Sequence, residues 1–133
     1  MVVVGVDGSE GADQALRFAA REARLRDTTL RLVAVWDFPK AHYSGTEIMA
    51  IVLGETIKRA SEQLAGLEFE RVAREGRAAS ILVEESRGAD LLVVGSRGRG
   101  GFAGLMLGSV SSQCAHHAAC PVAIVPGTAT SDA

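Results

Sequence analysis

A chain of 133 residues, 47% hydrophobic and 23% charged, has the make-up of one globular domain. Its 14 Lys and Arg against 16 Asp and Glu give a net charge of −2, which argues against a basic nucleic-acid surface or an acidic tail. No apolar run nears the ~20 residues that span a bilayer, and the opening Met1-Val2-Val3-Val4 carries no basic leader, so a cytoplasmic protein without membrane contact is expected.

Val2-Val3-Val4-Gly5-Val6 is short, β-branched and continuously apolar, the pattern of a strand buried on both faces. Asp7-Gly8-Ser9 breaks it. Ser9 is suited to cap a helix, Glu10 and Asp13 suit its positive end, and Ala12, Ala15, Leu16, Ala19 and Ala23 recur at helical spacing. A second strand runs over residues 30–36. Ser44-Gly45-Thr46-Glu47 has the spacing of a capping box, and Leu53, Ile57, Ala60 and Leu64 form one helical stripe ending near Gly66. Residues 67–75 read as a charged strand, which fits a sheet edge. A short helix over Ala78, Ile81 and Leu82 stops at Gly88. Asp90-Leu91-Leu92-Val93-Val94-Gly95 is again a fully apolar strand. A glycine-rich stretch follows, then a helix over 109–118, a last strand between Pro121 and Pro126, and a flexible tail at 128–133.

Strands alternating with helices predict an α/β fold of Rossmann-like type, a single domain over 1–127 with helices on both faces of a five-stranded parallel sheet. The two most apolar strands belong side by side at the centre, which the order 3-2-1-4-5 satisfies. That order puts a topological switch point between them, where ligands of open α/β sheets bind. Asp7 and the loop after Gly95 meet there.

Six of the 15 glycines lie in residues 95–108, and no acidic residue occurs between Asp90 and Asp132. An acid-free glycine loop with Arg97 and Arg99, leading into a helix N-terminus at Ser109, suits an anion. Gly98-Arg99-Gly100-Gly101-Phe102-Ala103 matches a loose dinucleotide pattern, but it does not follow the first strand and no acid lies ~20 residues beyond. A Walker A loop is absent as well. The spacing that does fit is Gly95, two residues, Gly98, nine residues, Gly108-Ser109.

In that spacing, in Val4-Gly5-Val6-Asp7-Gly8-Ser9 and in Cys120-Pro121-Val122, the chain resembles the universal stress protein family, in its ATP-binding branch. The resemblance implies a nucleotide across the switch point. Asp7, reached through Gly5 and Val6, would meet the ribose or adenine end. The backbone of Val33, Ala34 and Val35 would face the adenine ring. Gly95 and Gly98 would lie against ribose and phosphate, with Ser96, Arg97, Arg99, Gly100 and Gly101 completing the loop. Gly108, Ser109 and Val110 would hold the phosphates. The implied cofactor is ATP, with Mg or Mn as its companion ion.

The remaining reactive residues read as structural. His116, His117, Cys114 and Cys120 do not reproduce zinc spacings, so no metal site is assigned to them. Cys114 faces the sheet with Val110 and Ala118, and the histidines face outward. No serine sits in a nucleophile elbow, and Glu84 and Glu85 fit a solvated helix face. The function expected is nucleotide-dependent regulation in a stress response, with no catalytic residues and at most slow hydrolysis. A dedicated ATPase would need a positioned base and more charge clamps. A flavin electron carrier would need a phosphate loop after the first strand and flanking aromatics, in a chain with 5% aromatic residues. The uncharged edge strand Val122, Ala123, Ile124 and Val125 is a template for pairing, so a two-fold homodimer is expected there, as the resemblance also implies.

Overall fold

The computed structural model describes residues 1–36, 45–96 and 108–127, Thr46 by its backbone alone. The expected tail at 128–133 lies outside the described residues. Five strands, β1 (Val2–Val6), β2 (Leu30–Trp36), β3 (Phe69–Glu75), β4 (Leu91–Gly95) and β5 (Val122–Val125), form one sheet. All four pairings are parallel and the order is β3-β2-β1-β4-β5, as the sequence predicts.

Side chains on alternate strand residues point to opposite faces, and the two faces collect different helices. Val2, Val4, Leu30, Leu32, Leu91 and Val93 pack against α1 (Glu10–Leu25), α2 (Gly45–Arg59) and α3 (Ser61–Leu64). Val3, Val33, Leu92 and Val94 pack against α4 (Ala78–Glu85) and α5 (Ser109–His117). Such fully buried side chains each contribute about 1.5–3 kcal/mol of transfer free energy, so the inner strands are set by burial more than by propensity.

The turn from β1 into α1 follows from three residues. Gly8 takes φ +84°, a left-handed conformation that a side chain would strain. The Asp7 carboxylate accepts from the Ser9 amide at 2.9 Å, and the Ser9 hydroxyl accepts from the Ala12 amide at 3.2 Å. The second helical stripe differs from expectation: it divides into α2 and α3 at Ala60. The Arg24 guanidinium, reaching across from α1, donates to the carbonyls of Gln63 and Ala65 and holds that last turn. The apolar spacing carries on through the bend, so the stripe alone does not reveal it.

Both edges match the polarity of their sequences. β3 is half-exposed with Glu70 and Arg71 outward, while β5 is half-buried and uncharged. On the β3 side the Glu85 carboxylate takes Arg31 at 2.7 Å and Arg74 at 3.1 Å, and Arg74 also meets Glu84 at 2.7 Å. These hydrogen bonds, that to Glu85 first for Arg31 and that to Glu84 first for Arg74, push both guanidinium pKa values up. Glu84 and Glu85 are thus the anchors of an ion network rather than a merely solvated face.

Candidate functional site at the sheet switch point

The two central strands are paired over only part of their length. β1 and β4 join at Val2 to Leu91, Val3 to Leu92 and Val4 to Val93. Beyond that, Gly5 and Val6 stay with Val33 and Ala34 of β2, whereas Val94 and Gly95 stay with Ile124 and Val125 of β5. The sheet therefore opens between β1 and β4 at its carboxyl end. This is the crevice that the strand order predicts.

Which main-chain groups face the opening follows from alternation, because in a parallel strand the N–H and C=O of one residue point to the same side and those of the next point opposite. The Leu30 amide donates to Glu68 and the Trp36 carbonyl accepts from Gly76, so even-numbered residues of β2 face β3. Val35 therefore faces β1, one residue past the last pair, Val6 to Ala34. The amides of Leu92 and Ser96 donate to Pro121 and Val125, so even-numbered residues of β4 face β5, and Gly95 faces the gap. Met1 accepts from the Asp90 amide, which puts odd-numbered residues of β1, including Gly5, on the same gap from its other side. Gly5, Val35 and Gly95 thus turn unladdered polar backbone toward one opening.

Of the expected adenine-facing trio, this separates Val35 from the other two. Val33 and Ala34 are fully buried and lie between β1 and β3 along the ladder. Val6 is a core residue with 4% exposure, so its contribution to the site is to carry Asp7 to the rim. Gly5 has a packing reason too: a Cβ there would come within 3.0 Å of the Leu82 side chain on α4. Asp7 sits at the opening with its carboxylate held by the Ser9 amide.

The second half of the site is the start of α5. The Gly108 amide donates to the Ser96 carbonyl at 2.7 Å, which brings the helix back to the end of β4. Ser96 spends its amide on Val125 and Gly108 spends its own on Ser96, so neither of these amides is left for a ligand. Gly108, the N-cap, has no side chain to cap the turn. The exposed Ser109 and the half-buried Val110 therefore present helix-start amides, where the helix dipole favours negative charge. Arg97, Gly98, Arg99, Gly100 and Gly101 lie outside the described residues.

Two residues near the site stand outside the set expected from the sequence. One is Trp36, which could stack near an adenine but reads as core at a strand end and does pack against the α1–α3 cluster; the other is Ser111, which was not singled out. Trp36 follows Val35 at the end of β2, and a Cβ on Gly45 would fall on its indole, so only glycine lets the start of α2 approach this closely. Ser111 is buried, with its hydroxyl 2.9 Å from the Ser96 carbonyl and 3.0 Å from the Gly108 carbonyl. Its only sequence signal is a small polar residue on the core side of a helix.

The Cys114 side chain is fully buried against the sheet, and burial pushes its thiol up to about 11. His116 and His117 are exposed. Among the described residues no three His, Cys, Asp or Glu side chains come together to hold a metal ion. No described helix is long and apolar enough to cross a membrane.

Residues 1–126 match the model of the universal stress protein family. Over 130 residues the chain is 37% identical to a universal stress protein of Mycobacterium tuberculosis strain H37Rv, covering 92% of this chain and 44% of that one. It is 34% identical over 140 residues to one from Mycolicibacterium smegmatis, covering 95% and 48%. The chain thus spans about half the length of these curated relatives. Among solved structures, a universal stress protein in complex with cAMP is 32% identical with a TM-score of 0.73, covering 93% of this chain and 94% of that one. UspA from Lactobacillus plantarum, 20% identical with a TM-score of 0.75 and covering 93% and 95%, shares the fold.

Proposed function

The chain belongs to the universal stress protein family, and from that premise we propose that it is a regulatory protein whose signal is bound ATP. One observation carries the reading: backbone of Val35 and Gly95 and the start of α5, whose N-cap is a glycine, converge on the opening between β1 and β4. Their chemistry divides along a nucleotide. The Val35 carbonyl is an acceptor for the adenine amino group, Asp7 at the rim suits ribose hydroxyls, and Gly95 lets a sugar approach the backbone closely. The Ser109 hydroxyl and the amides of Ser109 and Val110 suit phosphate oxygens. The structure with cAMP, at 32% identity, supports an adenine nucleotide as the ligand class. Carrying that ligand to ATP rests on the Gly95, Gly98, Gly108-Ser109 spacing.

A Mg or Mn ion accompanying the phosphates would take its ligands from phosphate oxygens and water, since the described residues gather no carboxylate cluster. Such an ion would neutralise phosphate charge. The protein's own residues bind and orient; among the described residues none stands as a base for a hydrolytic water. The reading further includes a homodimer through Val122 to Val125 and a reducing, cytoplasmic setting, which suits two free thiols.

Ser109→Glu tests the site. A carboxylate in the first turn suits the helix dipole, so the fold is kept or strengthened, while the same charge repels phosphate. Titration calorimetry should find about micromolar ATP affinity in the parent and none in Ser109→Glu. Equal affinity in the two would remove the phosphates from this turn.

A further inference from the structure

Among the described residues three polar side chains are buried: Thr56, Ser86 and Ser111. The two serines sit at opposite ends of the sheet. The Ser86 hydroxyl donates to the Val83 carbonyl at 2.6 Å and accepts from the Ala119 amide at 2.8 Å, near the starts of β4 and β5. Ser111 lies at the other end, beside the crevice. Its one proton is shared between two carbonyls, Gly108 three residues back and Ser96 fifteen residues back.

The bond to Gly108 is the local one that any helical serine can make, and such bonds slightly weaken a helix. The bond to Ser96 is different. Ser96 is the last residue of β4's run to be held by the sheet, through Val125, and its carbonyl also accepts from the Gly108 amide. That carbonyl therefore receives two donors, both from the opening turn of α5. A single bond leaves the turn free to rotate about the shared acceptor, whereas a second from a different point fixes its direction. Amides bind an anion well only when they already point at it.

We propose that Ser111 is a positioning residue for the nucleotide site: its hydroxyl, through the Ser96 carbonyl, sets the direction of the Ser109 and Val110 amides. This rests on the reading of that turn as the phosphate site. The Ser111 hydroxyl is itself spent on the Ser96 and Gly108 carbonyls.

The test compares Ser111→Ala, Ser111→Thr and Ser86→Ala with the parent, measuring ATP affinity by calorimetry and the thermal midpoint. Each alanine variant strips a buried hydroxyl bond, so both midpoints should fall by about 3–8 °C. Only Ser111→Ala should also lose affinity, by about tenfold, and Ser111→Thr, which keeps the hydroxyl, should restore it. Parent-like affinity in Ser111→Ala, an equal loss in Ser86→Ala, or no restoration by threonine would each overturn the proposal. A parent that binds none of ATP, AMP and cAMP would instead overturn the nucleotide reading, and this inference with it.

Discussion

The amide of Ser96 donates to the carbonyl of Val125 at 2.8 Å. The residue that leaves β4 for the glycine-rich loop is thereby bonded to the last residue of the edge strand. Since the Ser96 carbonyl in turn holds α5, one residue ties the uncharged edge to the candidate phosphate turn.

Ile124→Asp should weaken self-association. Ile124 and Val122 pack on the α5 side of β5, Ala123 and Val125 on the α1 side, and the strand carries no charge that would repel another chain. Analytical ultracentrifugation at micromolar concentration should give twice the 13.9 kDa chain mass for the parent. The Ile124→Asp variant should shift toward monomer, and Arg71→Ala on the opposite edge should not. A monomeric parent would rule out the dimer.

Turnover of ATP should stay far below the ~1–1000 per second typical of metabolic enzymes. Phosphoryl transfer needs a residue that orients the attacking water and cations that clamp the moving charge. The described part of the crevice offers main-chain groups, a hydroxyl and Asp7. A rate above ~1 per second with magnesium, in protein free of contaminating ATPase, would restore the enzyme reading.

Alkaline solutions should destabilise the protein through Cys114. Burial raises this thiol from 9.0 to about 11 in the folded chain. An acid with a raised folded pKa favours unfolding once the unfolded chain can ionise it. Its contribution is therefore intact below about pH 9 and is lost progressively from pH 9 to 11. Denaturant midpoints should fall across that window in the parent. They should fall less in Cys114→Ala, whose stability is lower throughout because of the cavity. Parallel pH profiles for the two proteins would count against this assignment.

Glu85→Gln should cost about 1–3 kcal/mol, because it leaves two guanidinium groups facing each other without their shared carboxylate. The Glu85 side chain is only 11% exposed and takes both Arg31 and Arg74. Glu55→Gln is the fitting comparison. Its partner Lys58 lies 4.0 Å away with both side chains largely exposed, so the change should stay within about 0.5 kcal/mol. Chemical denaturation of the two variants distinguishes the cases.

Strand order was readable in the sequence because burial on both faces leaves a direct mark. Val2 to Val4 and Leu91 to Val94 have no polar side chain to present to water, and the charges of residues 68–74 mark an edge. The crevice was legible for the same reason, as the place where two such strands end. What the sequence could not separate was Val35 from Val33 and Ala34. All three are apolar and consecutive; the parity of the ladder turns Ala34 away from β1, and the end of the pairing at Val6 to Ala34 leaves Val35, not Val33, at the opening. Ser111 was equally silent, since a buried serine and a surface serine are the same letter. The break at Ala60 escaped because Arg24, the side chain that holds the turn beyond it, lies on another helix.

The two margins of the sheet have unequal consequences for growth. A molecule with two bare margins could add copies indefinitely and build a fibre. Here the β3 margin carries Glu70 and Arg71 outward and an ion network beside it. Any pairing at β5 turns that charged margin outward on both sides, and a third copy meets charge where it would need bare backbone. Association through β5, as proposed, would be self-limiting: the first step removes the surface that a second would require.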